Sequence, residues 1–231
     1  MPSSQSAWRT ARSLTLLLAL SGAPALAQER IGAAVDLFSE SGTLNGSQSI
    51  DGRPTDETFE YEPAGNMGFS AWILFLEGER LRWGPALRYV GRYKTETEEV
   101  PRVFDFGTLL EGTLEGEYSL PIVEKFHGVL GIRGGLAMLI PQGDLAEEIR
   151  TLRADGVGVW NVPRPGWTVG LSLGVRRALT ESLAFRADLR GQWEQLFLFR
   201  TTDDVDGFEV EKRWTTTSMR MGLTLGLEFV L

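Results

Sequence analysis

The end of the chain constrains its fold more than any other stretch. From Ser218 to Leu231 every second residue is large and apolar: Met219, Met221, Leu223, Leu225, Leu227, Phe229 and Leu231. Between them stand Ser218, Arg220, Gly222, Thr224, Gly226 and Glu228. Side chains of a strand alternate between its faces, so one face is a continuous apolar stripe and the other is small, polar or charged. A stripe of this length suits a strand that crosses a bilayer, with lipid on one side and a polar lumen on the other.

The start of the chain agrees with its end. Arg9 and Arg12 precede an apolar run, Leu14–Leu20, and Ala25-Leu26-Ala27 forms a small-x-small cleavage site. Residues 1–27 therefore read as a secretory signal peptide that leaves a mature chain beginning at Gln28. The apolar run is too short to span as a helix. Cysteine is absent, so neither disulfide nor thiol chemistry is available. Mean hydropathy is near zero, as expected where only alternate residues are apolar.

Eight alternating segments follow, at 31–38, 67–76, 81–93, 106–120, 128–140, 167–176, 183–197 and 218–231. The second puts Phe69, Ala71, Ile73 and Phe75 outward, which turns Trp72 and Leu74 inward. In the third, Pro85 lacks a ladder donor and marks an irregularity. The connections alternate as well: those after segments two, four and six are short, and those near 39–66, 94–105, 141–166 and 198–213 are long and polar. Outer-membrane barrels have short periplasmic turns and long extracellular loops. The expected fold is all-β, an eight-stranded antiparallel up-and-down transmembrane β-barrel over residues 28–231, with both termini in the periplasm.

The inward phase carries eight cations (Arg82, Arg88, Arg92, Arg133, Arg176, Arg186, Arg190 and Arg220) and seven anions (Asp36, Glu111, Glu115, Glu117, Asp188, Glu194 and Glu228). Arginines of segment three face glutamates of segment four, and opposite charges on neighbouring strands attract. These residues are expected to form a lumen charge network. Eight strands leave room for side chains or for one small ligand, so a packed polar core is weighed against a narrow, gated path for ions or small solutes. A third reading, a soluble periplasmic lipocalin-like ligand-binding barrel, inverts the faces. The inward set contains the small residues Gly84, Gly131, Gly135, Gly170, Gly174, Gly222 and Gly226, which suit the crowded concave side. Aromatics cluster on the bulky face at Trp83, Tyr89, Tyr93, Tyr118, Trp167, Trp193, Phe197 and Phe229, as in an interfacial girdle.

On these features the chain resembles the eight-stranded outer-membrane β-barrels of the OmpA/OmpX type, without a peptidoglycan-binding domain. The resemblance implies an outer-membrane location, contact with lipid and lipopolysaccharide, and handling by the barrel-assembly machinery. Such barrels usually end in Phe or Trp, whereas this chain ends in Leu231, with Phe229 two positions earlier.

Candidate chemistry is sparse. His127 is the single histidine. It falls at the periplasmic end of segment five with no serine beside it on that strand, unlike the His–Ser pair of lipid A deacylases, and a nucleophile without a positioned base is not activated. No enzyme activity, catalytic residue, cofactor or metal is expected. The acidic run Asp203–Glu211 departs from a calcium loop at both carboxylate ends, and Asp206-Gly207 suits a tight hairpin. Asp144 with Glu147 resembles a capping box, so a short helix is expected over 145–153, to lid the barrel mouth or pack on the first long loop. Net charge is −8, or −10 once Arg9 and Arg12 leave with the leader. The excess sits in the long loops, including Glu40, Asp51, Asp56, Glu57, Glu60 and Glu62, and an acidic rim excludes nucleic-acid binding. The expected role is structural or one of surface interaction through the loops, with channel activity as the alternative.

Overall fold

The computed structural model describes residues 29–231 apart from 51–52, 78–79, 97–102, 155, 157, 160 and 206–207. The expected leader, 1–27, lies outside the described residues. Eight strands follow in order: β1 (Arg30–Ile50), β2 (Arg53–Glu77), β3 (Leu81–Glu96), β4 (Val103–Val123), β5 (Phe126–Pro141), β6 (Arg164–Ala178), β7 (Leu183–Val205) and β8 (Phe208–Val230). Helix α1 (Gly143–Ala154) lies between β5 and β6. Each strand pairs antiparallel with its neighbours in sequence, and β1 closes on β8. The fold is the expected all-β, eight-stranded, up-and-down barrel.

Its outer face is apolar. Leu136 is 73% exposed and Leu171 66%, while Arg133 and Thr168, in the opposite phase of the same strands, are buried. A protein dissolved in water arranges these the other way round. The belt is a lipid-facing surface, and it rules out the inverted, lipocalin-like reading. Trp72 and Leu74 point inward, at 2% and 0% exposure. The indole fits because β1 carries Gly32 there: a Cβ on Gly32 would stand 2.2 Å from the Trp72 ring.

The barrel is taller than the sequence segments. β1 and β2 pair as far as Ile50 and Arg53, and β7 and β8 as far as Val205 and Phe208. Most of 39–66 and 198–213, read as loops, is therefore strand. Beyond the apolar belt the ladder continues without the apolar alternation on its outer face, while Leu44, Phe199 and Trp214 still pack inward on the apolar cluster. At the other end the turn expected over Pro121–His127 shrinks to the residues between Val123 and Phe126.

Two irregularities between β3 and β4 change which side chains face inward. Val90 pairs with Leu109 and Tyr93 with Gly107, so β3 carries one extra residue. Gly107 takes φ +113° at this point, a conformation that favours glycine. The bulge inverts the alternation. Tyr93, expected in the outer girdle, is 2% exposed inside the barrel. Arg92, expected in the lumen, turns outside, where its side chain is 74% exposed and pairs with Asp105 at 3.2 Å. The irregularity anticipated at Pro85 shows in the β2–β3 ladder, where no pair joins Trp72–Ala86 to Phe75–Trp83.

Candidate functional site

Fourteen of the fifteen residues assigned to the lumen network are buried inside the barrel, Arg92 being the exception. Most fall into two hydrogen-bonded groups, which Arg190 links by approaching Asp188 at 3.6 Å. The first lies toward the short turns. Arg176, on β6, donates through Nη2 to both oxygens of Glu117 on β4, at 2.6 and 2.9 Å, and to Glu228 on β8 at 3.0 Å. Its Nε also donates to Glu228. Arg186, on β7, donates to the same two carboxylates at 2.8 and 3.0 Å and to Asp188 at 2.6 Å. Its guanidinium lies 5.3 Å from the centroid of the Trp72 ring, within cation–π range.

The second group centres on Arg220. Its three nitrogens donate to Glu40, Glu111 and Glu194, which come from β1, β4 and β7. Arg88 donates to Asp36 at 3.2 Å, to Glu111 at 3.2 Å and to Gln192 at 2.7 Å. Arg190 reaches Asp36 at 3.2 Å, and Thr224 also donates to Asp36. Arg133 pairs with Glu115 at 3.2 Å on the adjacent strand. The expected match of β3 arginines with β4 glutamates is present in the register, Arg82 opposite Glu117 and Arg88 opposite Glu111.

Glu40 was placed in the first acidic loop from sequence, and it is fully buried. β1 runs on past Phe38, so Glu40 keeps the inward phase of Asp36. That phase was the available signal, and the polar residues after Ser39 obscured it. A cavity of about 10 Å³ lies between Asp36, Arg88, Arg190 and Arg220, room for about one water molecule.

Beyond this layer the filling changes character. Val90, Leu109, Leu139, Leu196 and Leu198 continue the inward phases of β3, β4, β5 and β7, and they pack with Phe38, Tyr93 and Phe106 into an apolar cluster inside the barrel. Helix α1 closes it. Leu145 and Ile149 are buried in the cluster and Leu152 packs against it. The helix contains the expected span, and its Asp144 accepts a hydrogen bond from the Asp105 backbone N–H at 2.9 Å, tying it to β4. Tyr93 joins the two regions: its hydroxyl donates to Glu40, and the Arg220 guanidinium lies 5.2 Å from its ring centroid.

At the short-turn mouth, His127 lines a cavity of about 180 Å³ together with Arg30, Arg80, Arg82, Ser119, Pro121 and Arg176. Ser119 comes from β4, the neighbouring strand. Its hydroxyl accepts from Arg82 at 2.9 Å and from Arg176 at 3.1 Å. Among the described residues no group of three or more His, Cys, Asp or Glu is arranged to hold a metal ion. The side chains of 203–210, most of the acidic run weighed as a calcium loop, lie outside the described residues.

No protein-family model matches the chain, and no curated protein matches it in sequence. Solved structures resemble it at low identity. Neisserial surface protein A is 13% identical, with 80% of this chain and 95% of that one covered, at a TM-score of 0.41. The outer membrane protein OprG from Pseudomonas aeruginosa is 13% identical, with 87% and 96% covered, at a TM-score of 0.45. The outer membrane protease OmpT from Escherichia coli is 10% identical, with 87% and 97% covered, at a TM-score of 0.34.

Proposed function

We propose that the protein is an outer-membrane barrel that serves as a closed scaffold for a surface of extended hairpins. The observation that carries this reading is the filled lumen: a charge network spans its section, and an apolar cluster capped by α1 lies above. β7, β8, β1 and β2 remain paired side by side beyond the apolar belt, so they present a four-stranded sheet as the interaction surface. Exposed Asp56 and Glu60 lie on this extension. They suit divalent cations that bridge to lipopolysaccharide phosphates, or a cationic partner. The short turns face the periplasm in this reading. Lipid surrounds the belt, and the barrel-assembly machinery receives the C-terminal strand.

The reading is non-enzymatic. It is supported by the setting of the single histidine, which shares its cavity with arginines while the neighbouring Ser119 hydroxyl is held by two of them. Lipid A of unchanged mass in cells that express the protein is the expected result. Planar-bilayer recording tests the central claim. The folded barrel is expected to show no stepwise conductance. Discrete, reproducible conductance steps from the intact protein would replace the scaffold by the narrow-channel reading.

A further inference from the structure

The short-turn mouth holds more positive charge than its own carboxylates balance. Among the described residues four arginines line the cavity there and no carboxylate does. Glu29 and the chain end at Leu231 meet at the same rim through a backbone hydrogen bond, but neither lines the cavity. Glu117 and Glu228 lie one layer deeper and are already shared. Glu117 serves Arg82, Arg176 and Arg186, and Glu228 serves Arg30, Arg176 and Arg186.

Hydrogen-bond donors are also left over. Arg82 is 7% exposed, and its approach to Glu117, 3.6 Å, is too long for a hydrogen bond. Its Nη1 donates instead to Ser119. The buried Nε atoms of Arg82 and Arg30 have no hydrogen-bond partner, and an unpaired buried donor on a charged group is costly. Ser119 accepts from two arginines, which leaves its own O–H to donate elsewhere. Arg30, Arg82 and Ser119, from β1, β3 and β4, thus line one cavity with hydrogen-bonding capacity left over.

We propose that this mouth is a binding site for a phosphate-type oxyanion. A tetrahedral anion offers several oxygens to donors that converge from different strands, and guanidinium groups bind phosphate through paired, charge-assisted hydrogen bonds. Among the described residues Arg30, Arg82, Arg176 and Arg186 face Glu117, Asp188 and Glu228 in the two lowest layers, an excess of positive charge that an anion would offset. Free phosphate and the phosphate of a phospholipid headgroup share this chemistry. The site does not depend on whether the lumen conducts.

The folded barrel in maltoside micelles, free of phosphate buffer, would be titrated with inorganic phosphate and separately with short-chain phosphatidylglycerol. Phosphorus NMR line broadening and the arginine Nε–H signals would report binding. Saturable binding is expected, weakened about tenfold or more in the Arg30→Gln/Arg82→Gln variant and several-fold in Ser119→Ala. Saturation by inorganic phosphate alone identifies a soluble anion, and saturation by the lipid alone identifies a headgroup. Should the double variant fail to give a heat-modifiable folded band, Arg80→Gln, on the exposed turn, replaces it with the same expected direction. Absence of saturation with both probes, or equal affinity in the folded variants, would overturn the proposal.

Discussion

From the short-turn mouth to the level of Glu40, the lumen is filled mainly by arginines and carboxylates, with Trp72 and Leu74 among them; past Tyr93 it is filled by valine, leucine and phenylalanine. Both regions are enclosed by the same eight strands, yet they close the barrel differently. The charged region works by specific pairs. Arg176 bridges β6 to β4 and β8, and Arg220 bridges β8 to β1, β4 and β7. Each bond fixes strands that are not all neighbours, so a slip in register would separate several charges at once. The apolar region works by volume and needs a cover, since its open end would otherwise face water. Helix α1 is that cover. Polar filling is thus tied to position, residue by residue, whereas apolar filling tolerates exchange if volume is kept.

The sharpest way to break this contrast is to remove the hub of the charged region. Arg220→Met leaves Glu40, Glu111 and Glu194 buried without their shared cation. Loss of one member of a buried ionic group costs about 3–5 kcal/mol, so a marked fall in the denaturant midpoint of the barrel in detergent, or failure to fold, is expected. A variant as stable as the wild type would mean that the network is not what closes this half.

The apolar region should respond next most strongly. Ile149→Ala removes the buried anchor of α1 and is expected to cost about 2–4 kcal/mol if the helix is held as tightly as a core element. A helix that merely rests on the mouth would lose far less. Deleting 143–154 should admit an apolar fluorescent probe without conductance, because the charged layer below remains closed; ion flow after that deletion alone would show that α1 is the only barrier.

Gly32→Ala probes the packing of Trp72 within the charged region. The added methyl meets the indole, and overpacking of this kind costs about 1–2 kcal/mol. Trp72 fluorescence should shift as the ring is displaced from Arg186. An unchanged spectrum would mean that the ring moves freely, contrary to its setting. The smallest effect is expected for Arg92→Gln. Its pair with Asp105 is direct but solvent-exposed, so stability should change by less than about 0.5 kcal/mol, less than for the buried hub Arg220. A loss comparable to that of Arg220→Met would return Arg92 to the network.

Much of the charged region was legible because strand alternation gives each residue a face without reference to the rest of the fold. Asp36, Arg88, Glu111, Arg186 and Glu228 were assigned inward on that ground alone, and they lie inward. The rule fails where the count of residues changes. The extra residue in β3 exchanges Arg92 for Tyr93, and no local composition marks it, because both alternations remain acceptable when read from either end. Glu40 was hidden differently. The apolar stripe that identifies a strand ends with the lipid, while the strand itself continues, so a buried glutamate looked like a loop acid. The apolar cluster carried the weakest signal of all. Val90, Leu109, Leu139, Leu196 and Leu198 lie in the inward phase, but an inward leucine differs from an outward one only through its neighbours in space.

What the sequence determined by itself is the number of strands, their faces, the lipid-facing stripe and the charges that point away from it, since each follows from a period of two and from the cost of placing charge against lipid. What the tertiary structure alone decided is which of those charges meet. Arg220 joins residues 26, 109 and 180 positions away. Arg30 and Arg82 were brought to one mouth, and α1 was laid across the other end. These outcomes depend on closure of β1 on β8 and on a single bulge in β3, and pairing across a closed ring is set by the stagger of all its strands together rather than by any segment of the chain.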